Sequence, residues 1–227
     1  MYRSVILRQF AAASLLVAGA SLVGCAAAPS EEGPAALNQH IVGDGDGDGT
    51  ATAKPRVVTV RANGTGCREG QWESQISEDG TSVTLKLDHH FAHVGRGEAF
   101  SINDCTISLD VEDAAGHAFT LDAAEADGFA HLSGAEVNAR RSLKYYFMGD
   151  PTAAESREQV FTSDGPGAPY AWSAGVGGEE AIWSRCGGGR ALNVQTRLVL
   201  QNNADKSGWG YVGAQTMRLR LKSRPCS

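Results

Sequence analysis

Two short stretches concentrate side chains able to hold a metal ion. The first is GDGDGDGT, residues 43–50, where Asp44, Asp46 and Asp48 alternate with glycine. D-x-D-x-D-G opens the calcium loop of an EF-hand, in which a hard cation is held by carboxylate and carbonyl oxygens. Counted from Asp44, however, the ninth position is Thr52. The twelfth, which must give a bidentate carboxylate, is Pro55. No helix-forming run flanks the loop on either side. Three flexible carboxylates that repel one another when unliganded predict a solvated acidic tether with weak, millimolar-type calcium binding as the alternative. The second stretch is DHHFAHVG, with Asp88, His89, His90 and His93. Imidazole and carboxylate in this density suit zinc or copper. In a continuous strand, though, His89 and His93 share a face roughly 13 Å apart, at about 3.3 Å per residue, and His90 points the other way. Only a tight loop would gather them; an exposed strand end is the competing expectation.

Other residues suggest ligands rather than metals. MRLRLKSR places Arg218, Arg220, Lys222 and Arg224 on one face, a row that could dock on lipid phosphates or an anionic glycan. The same pattern is what a solvated outer face, or an edge strand guarded by charge, would show. Among the aromatics Trp72, Trp172, Trp183, Trp209, Tyr170 and Tyr211, a sugar-stacking platform is expected at Tyr170 and Trp172, because DGPGAPYAWS reads as an exposed loop. Trp183, near Cys186, reads as structural. CGGGR lacks the Lys-Ser/Thr of a phosphate loop and reads as a turn beside a disulfide. No G-x-S-x-G or H-E-x-x-H occurs, and Glu179 and Glu180 are mere chain neighbours. No catalytic residue is assigned. Triads assemble across space, so an enzyme is disfavoured rather than excluded.

The elements that must position these residues are strands. TSVTLKL turns Val83, Leu85 and Leu87 to one face. TISLDVE does so with Ile107, Leu109 and Val111, and SLKYYFMG with Leu143, Tyr145 and Phe147. ALNVQTRLVLQN aligns Leu192, Val194, Leu198 and Leu200; TMRLRLKSR aligns Met217, Leu219 and Leu221. VVTVRA begins the series. Period-two alternation in run after run, broken by EDGT, DAAG, MGDP, SDGPG and NNADKSG, predicts half-buried antiparallel strands. No sustained 3.6-residue period appears. The expected fold is all-β: an antiparallel two-sheet sandwich or jelly-roll-like domain over 56–227, long enough for a two-sheet core.

The chain has 227 residues, and the first 24 read as a secretory signal, with Arg3 and Arg8 ahead of the apolar run AAASLLVAGASLVG. That run is short of the roughly 20 apolar residues a membrane span needs. It ends in LVGC, which resembles the lipobox of bacterial lipoproteins and implies lipidation of Cys25. Acyl chains there would bury methylenes at about 0.8 kcal/mol each. Ala26, where an inner-membrane retention signal would place Asp, implies outer-membrane or surface sorting. Residues 25–55 are rich in Ala, Gly, Pro and acids, with too little apolar surface to order, and read as an acidic flexible tether. Without the signal the chain holds 18 basic and 26 acidic residues, a net charge of −8. That balance argues against nucleic acid as a partner.

Besides Cys25, four cysteines remain: Cys67, Cys105, Cys186 and Cys226. In an oxidising compartment an even number predicts disulfides, with three pairings open. Cys67–Cys105 with Cys186–Cys226 is favoured because each closes a loop of similar length. No CxxC supports zinc.

NGTGC, DGTSVTLKLD, NDCTISLDV, the YYF of residues 145–147, WSRCGGGRALNVQTRLVLQN and the final RPC stand in an order that resembles a family of small secreted bacterial and fungal proteins of unknown function. The resemblance spans nearly all of 56–226 and implies a secreted, disulfide-containing β domain, with no activity attached. DHHFAHVG departs from it, since acidic and apolar residues are expected there. The combined expectation is an exported lipoprotein, anchored by lipid at the cell envelope, with a binding or structural role and no cofactor. A polysaccharide is the leading ligand. A hydrolase acting on envelope polymers, or a lipoprotein that binds an envelope protein, is the alternative.

Overall fold

Alternation decides which side of each strand is buried. Val83, Leu85 and Leu87 are at most 3% exposed, while Lys86 between them is exposed. Ile107, Leu109 and Val111, Leu143, Tyr145 and Phe147, and Met217, Leu219 and Leu221 repeat the pattern on three further strands. The computed structural model describes residues 55–112, 116–162, 168–176, 181–187 and 189–226. Cys25, Asp44, Asp46, Asp48, the signal, the tether to residue 54, and Glu179 and Glu180 lie outside the described residues.

All regular structure among the described residues is strand: β1 (Arg56–Asn63), β2 (Trp72–Ile76), β3 (Ser82–Leu87), β4 (Phe91–Val94), β5 (Phe100–Glu112), β6 (His117–Ser133), β7 (Asn138–Phe147), β8 (Asp150–Thr162), β9 (Ala168–Gly175), β10 (Leu192–Gln201) and β11 (Trp209–Pro225). They form two antiparallel sheets. One runs β1-β5-β10-β7-β8 and the other β2-β3-β11-β6-β9, with β4 also paired to β11. The strands β3 and β4 lie end to end along one flank of β11. β3 covers Thr216–Arg220 and β4 covers Gly210–Gly213. The sandwich expected from the sequence is therefore the observed fold.

The sheets bury two apolar clusters. The larger is built on Leu85, Ile107, Leu109, Phe119, Tyr145 and Met217; the smaller on Ala92, Leu132, Ala139, Leu198, Leu200 and Val212. Burying each large aliphatic or aromatic side chain contributes about 1.5–3 kcal/mol. Between Ala139 and Leu143 on β7, Arg141 points inward and is 1% exposed. None of its guanidinium nitrogens has a hydrogen-bond partner among the described residues, and the guanidinium lies 4.3 Å from the centre of the Trp172 ring. Burial pulls its pKa down from the ordinary arginine value, and Tyr170 opposes that pull.

Cys67 is bonded to Cys105, with Cα atoms 5.4 Å apart, and Cys186 to Cys226, at 6.0 Å. The first pair pins the loop after β1 to the middle of β5. The second ties the segment before β10 to the chain just beyond β11. This is the pairing favoured by loop length.

Candidate functional site

Strand β11 is flanked near its start by two strands that carry the same triplet, Phe-Ala-His. These are Phe91–His93 on β4 and Phe129–His131 on β6. Both pair with β11 in the same register. His93 and His131 stand opposite Tyr211, and Phe91 and Phe129 stand opposite Gly213. Successive side chains alternate across a strand. Ala92 and Val212 therefore point into the core, at 1% and 0% exposure, and the rings point outward. Two rows result on the outer face of this sheet, His93–Tyr211–His131 and Phe91–Gly213–Phe129.

The rings form a continuous strip. Phe129 and Tyr211 are 5.3 Å apart, centre to centre, and inclined by 13°; Tyr211 and His131 are 5.9 Å apart at 17°; His131 and Trp209 are 4.8 Å apart at 27°. Phe91, Trp209 and Tyr211 keep 45%, 40% and 38% of their surface exposed. Beside the strip, Gly213 leaves a gap between Phe91 and Phe129 in the second row. A Cβ there would come 3.2 Å from the Phe91 Cβ and 3.4 Å from the His90 carbonyl oxygen, so the bare backbone leaves a hollow. That hollow, about 220 Å3, is walled by Phe91, Phe129 and Tyr211, and Asp88 and Gln215 also line it.

The floor is held from beneath. The Tyr170 hydroxyl donates to the Gly213 carbonyl at 2.7 Å. Burial pushes the Tyr170 phenol up, so the hydroxyl stays protonated and keeps donating. Gly128 makes the bond possible, because a Cβ there would collide with both the Gly213 oxygen and the Tyr170 hydroxyl. At one corner, the His90 carbonyl accepts from Ala214 N–H at 2.9 Å, beside the bulge at Gln215.

The His90 ring faces the core, 1% exposed. Nδ1 lies 2.7 Å from Asn103 Oδ1 and Nε2 3.3 Å from Thr196 Oγ1. A neutral ring satisfies both, with Nδ1–H donating to Asn103 and Nε2 accepting from Thr196. Burial lowers its pKa from 6.5 to about 4, Arg141 adding to the effect and the Asn103 bond opposing it.

The gathering of His89, His90 and His93 expected for a metal site does not occur. His90 is turned inward, while His89 and His93 lie either side of the Phe91 ring, at 6.4 and 6.1 Å from it. Strand alternation separates them, and no three His, Cys, Asp or Glu side chains converge among the described residues. The loop platform is corrected as well. Tyr170 and Trp172 sit on strand β9, half-buried, supporting the interior rather than presenting a surface. The basic row lies on the outer face, but its charges are met: Arg218 by Glu125 at 3.4 Å, Arg220 by Asp122 at 2.9 Å, and Lys222 by Asp122 at 3.4 Å. The Arg224 guanidinium lies 4.1 Å from the Trp183 ring centre. A cross-strand match with acids on β6 explains the row without a ligand.

Two further depressions continue from the hollow. Beyond Phe91, a groove of about 270 Å3 is lined by Thr65, Arg68, Gln71, His89, His93 and Ser101, among others. Next to it, sharing His93 and Ser101, lies one of about 310 Å3 that includes Glu98 and the exposed Phe100. A hollow of about 430 Å3 on the other sheet holds Asp110 and Glu112, but Asp110 is engaged by Arg61.

Trp209 and Tyr211 were among the aromatics the sequence offered; Phe91, Phe129, His131 and Arg68 were not. The repeated FAH triplet was the available signal. It has meaning only once both copies are known to flank one strand.

Residues 53–226 match the family described as "Domain of unknown function (DUF4360)". A protein of Arthroderma benhamiae described as "Uncharacterized secreted protein" is 28% identical over 150 residues, which cover 65% of this chain and 60% of that protein. The chain thus spans less than two thirds of that relative's length. Among solved structures, TmCBM61 in complex with beta-1,4-galactotriose aligns over 75% of this chain and 90% of its own, with 8% identity and a TM-score of 0.25. HutD from Pseudomonas fluorescens SBW25 covers 73% and 100%, with 10% identity and a TM-score of 0.15. Both scores are too low to carry a fold or a ligand across.

Proposed function

The chain belongs to the DUF4360 family of domains of unknown function, and for this member we propose an exported, lipid-anchored β-sandwich that binds a polysaccharide on the outer face of its six-stranded sheet. Cys25 carries the anchor, and the acidic tether holds the domain away from the membrane. The observation that carries the binding reading is the row of near-parallel rings Phe129, Tyr211, His131 and Trp209 beside the hollow over Gly213. Sugar rings have apolar C–H faces that pack on aromatic rings, and hydroxyl edges that need donors and acceptors. The hollow offers both kinds of wall, with Asp88 and Gln215 as polar partners. The three adjoining depressions suit a chain of sugars better than a single small molecule.

Affinity electrophoresis through gels containing cell-wall or extracellular polysaccharide tests this. Phe129→Ala with Tyr211→Ala is expected to weaken retention about tenfold or more, since truncating an aromatic that anchors a ligand costs about 1 kcal/mol or more. Val160→Ala, at an exposed position on the opposite sheet, is expected to leave retention unchanged. Equal retention of the ring variant and wild type would instead favour a protein-binding lipoprotein.

A further inference from the structure

The groove beyond Phe91 gathers basic and neutral hydrogen-bonding groups. Its lining includes Arg68, His89 and His93 with the neutral hydrogen-bonding groups of Thr65, Gln71 and Ser101, and no carboxylate. The chain as a whole carries a net charge of −6. On the sheet faces, Arg61, Arg140, Arg197, Arg218, Arg220 and Lys222 each stand within ion-pair distance of an acid. Arg68 forms no such pair among the described residues.

Arg68 is also well held. It follows Cys67, which is bonded to Cys105 on β5. Gly66 N–H donates to the Asp104 carbonyl at 2.8 Å, and Gln71 N–H donates to the Arg68 carbonyl at 2.9 Å. Thr65 Oγ1 accepts from Asp104 N–H at 2.9 Å. A disulfide and three hydrogen bonds thus fix the backbone that presents the guanidinium. Such a planar fork matches a carboxylate in a bidentate manner.

Phe91 belongs to both this groove and the hollow over Gly213. We infer that the two are adjacent subsites for an acidic polysaccharide, with one sugar against the Phe91, Phe129 and Tyr211 rings and the carboxylate of a neighbouring uronic acid residue in the groove at Arg68. The inference rests on the polysaccharide reading and adds the charge of the polymer. A carboxylate is the occupant of choice because the lining offers hydrogen-bonding and basic groups, Arg68 among them, and no acid.

The test uses the full chain in affinity gels containing polygalacturonate or alginate, each compared with its carboxyl-reduced, uncharged form. Wild type is expected to bind at least one acidic polymer about tenfold more tightly than its reduced form, the scale of a charge-assisted hydrogen bond. Raising the salt from about 0.02 to about 0.5 M is expected to shrink that preference and leave the neutral component in place. Arg68→Gln is expected to abolish the preference and keep binding to the reduced polymer. An unchanged thermal midpoint confirms that this exposed substitution leaves the fold intact. Equal binding of both forms by wild type, or a preference that survives in Arg68→Gln, would overturn the inference and leave the ring platform standing. Retention on none of the four polymers would overturn the polysaccharide reading together with it. Tighter binding to dextran sulfate than to either carboxylated polymer would overturn the assignment of the groove to a carboxylate.

Discussion

Lowering the pH should destabilise this domain through His90, whose buried neutral ring resists the proton that the unfolded chain takes up. The ring is buried, bonded to Asn103 at 2.7 Å and Thr196 at 3.3 Å, and close enough to Arg141 to feel its charge. Its folded pKa lies at about 4, against 6.5 in the unfolded chain. Below pH 6.5 the unfolded state therefore binds a proton that the folded state refuses. Stability rises with pH, and is lost on acidification, wherever the unfolded state holds more protons. The stabilising contribution is complete above 6.5 and is lost as pH falls, until the folded form also protonates near 4. Each unit of difference is worth about 1.4 kcal/mol, so the two and a half units here amount to about 3 kcal/mol. In a domain of this size that lowers the melting midpoint by roughly 6–12 °C. Urea melts of wild type and His90→Gln between pH 7.5 and 4 would isolate the effect. Glutamine keeps a side chain able to bond Asn103 and Thr196 but cannot titrate. Wild type should lose about 3 kcal/mol more than the variant across that range. The same pH slope in both proteins would refute a buried neutral His90.

The remaining predictions concern the support of the fold and the anchor. Arg141→Met removes a buried guanidinium without hydrogen-bond partners and should be neutral or stabilise by about 1–4 kcal/mol, read by urea denaturation, less what the Trp172 contact contributed. Gly128→Ala should break the Tyr170–Gly213 bond and disturb the hollow, costing about 1–3 kcal/mol in stability and weakening polysaccharide retention. Replacing Cys186 and Cys226, which lie 40 residues apart, by serine should cost about 4 kcal/mol by the loop-entropy relation, measured by thermal melting without reductant. Cys25→Ser should move the protein from the membrane fraction to the soluble one, since acyl chains are the proposed hold on the bilayer.

Much of the sandwich was readable before any coordinates, because a half-buried strand writes its two faces into the sequence. Leu143, Tyr145 and Phe147, or Met217, Leu219 and Leu221, could only be core residues. The cysteines were readable too, since their even number and similar spacings favoured one pairing out of three. The longest partner strand was not. HAFTLDAAEADGFAHLS, which became β6, is rich in alanine and alternates large apolar residues only at Phe119 and Leu121. It is a strand because β11 on one side and β9 on the other both pair with it. The same holds for Tyr170 and Trp172. Gly and Pro upstream suggested a loop, and pairing with β6 overrode them.

Local sequence thus marked the inward faces of the alternating strands and favoured one pairing of the cysteines, which the structure adopts. Tertiary structure alone decided the surface. It brought two distant FAH triplets against one strand, turned His90 away from His89 and His93, matched the basic row of β11 with acids of β6, and left Arg68 in a groove without one. The reason is that a side chain's face is set by its immediate neighbours at period two. Its companions on that face are set by strand order and register, which depend on pairings made tens of residues away.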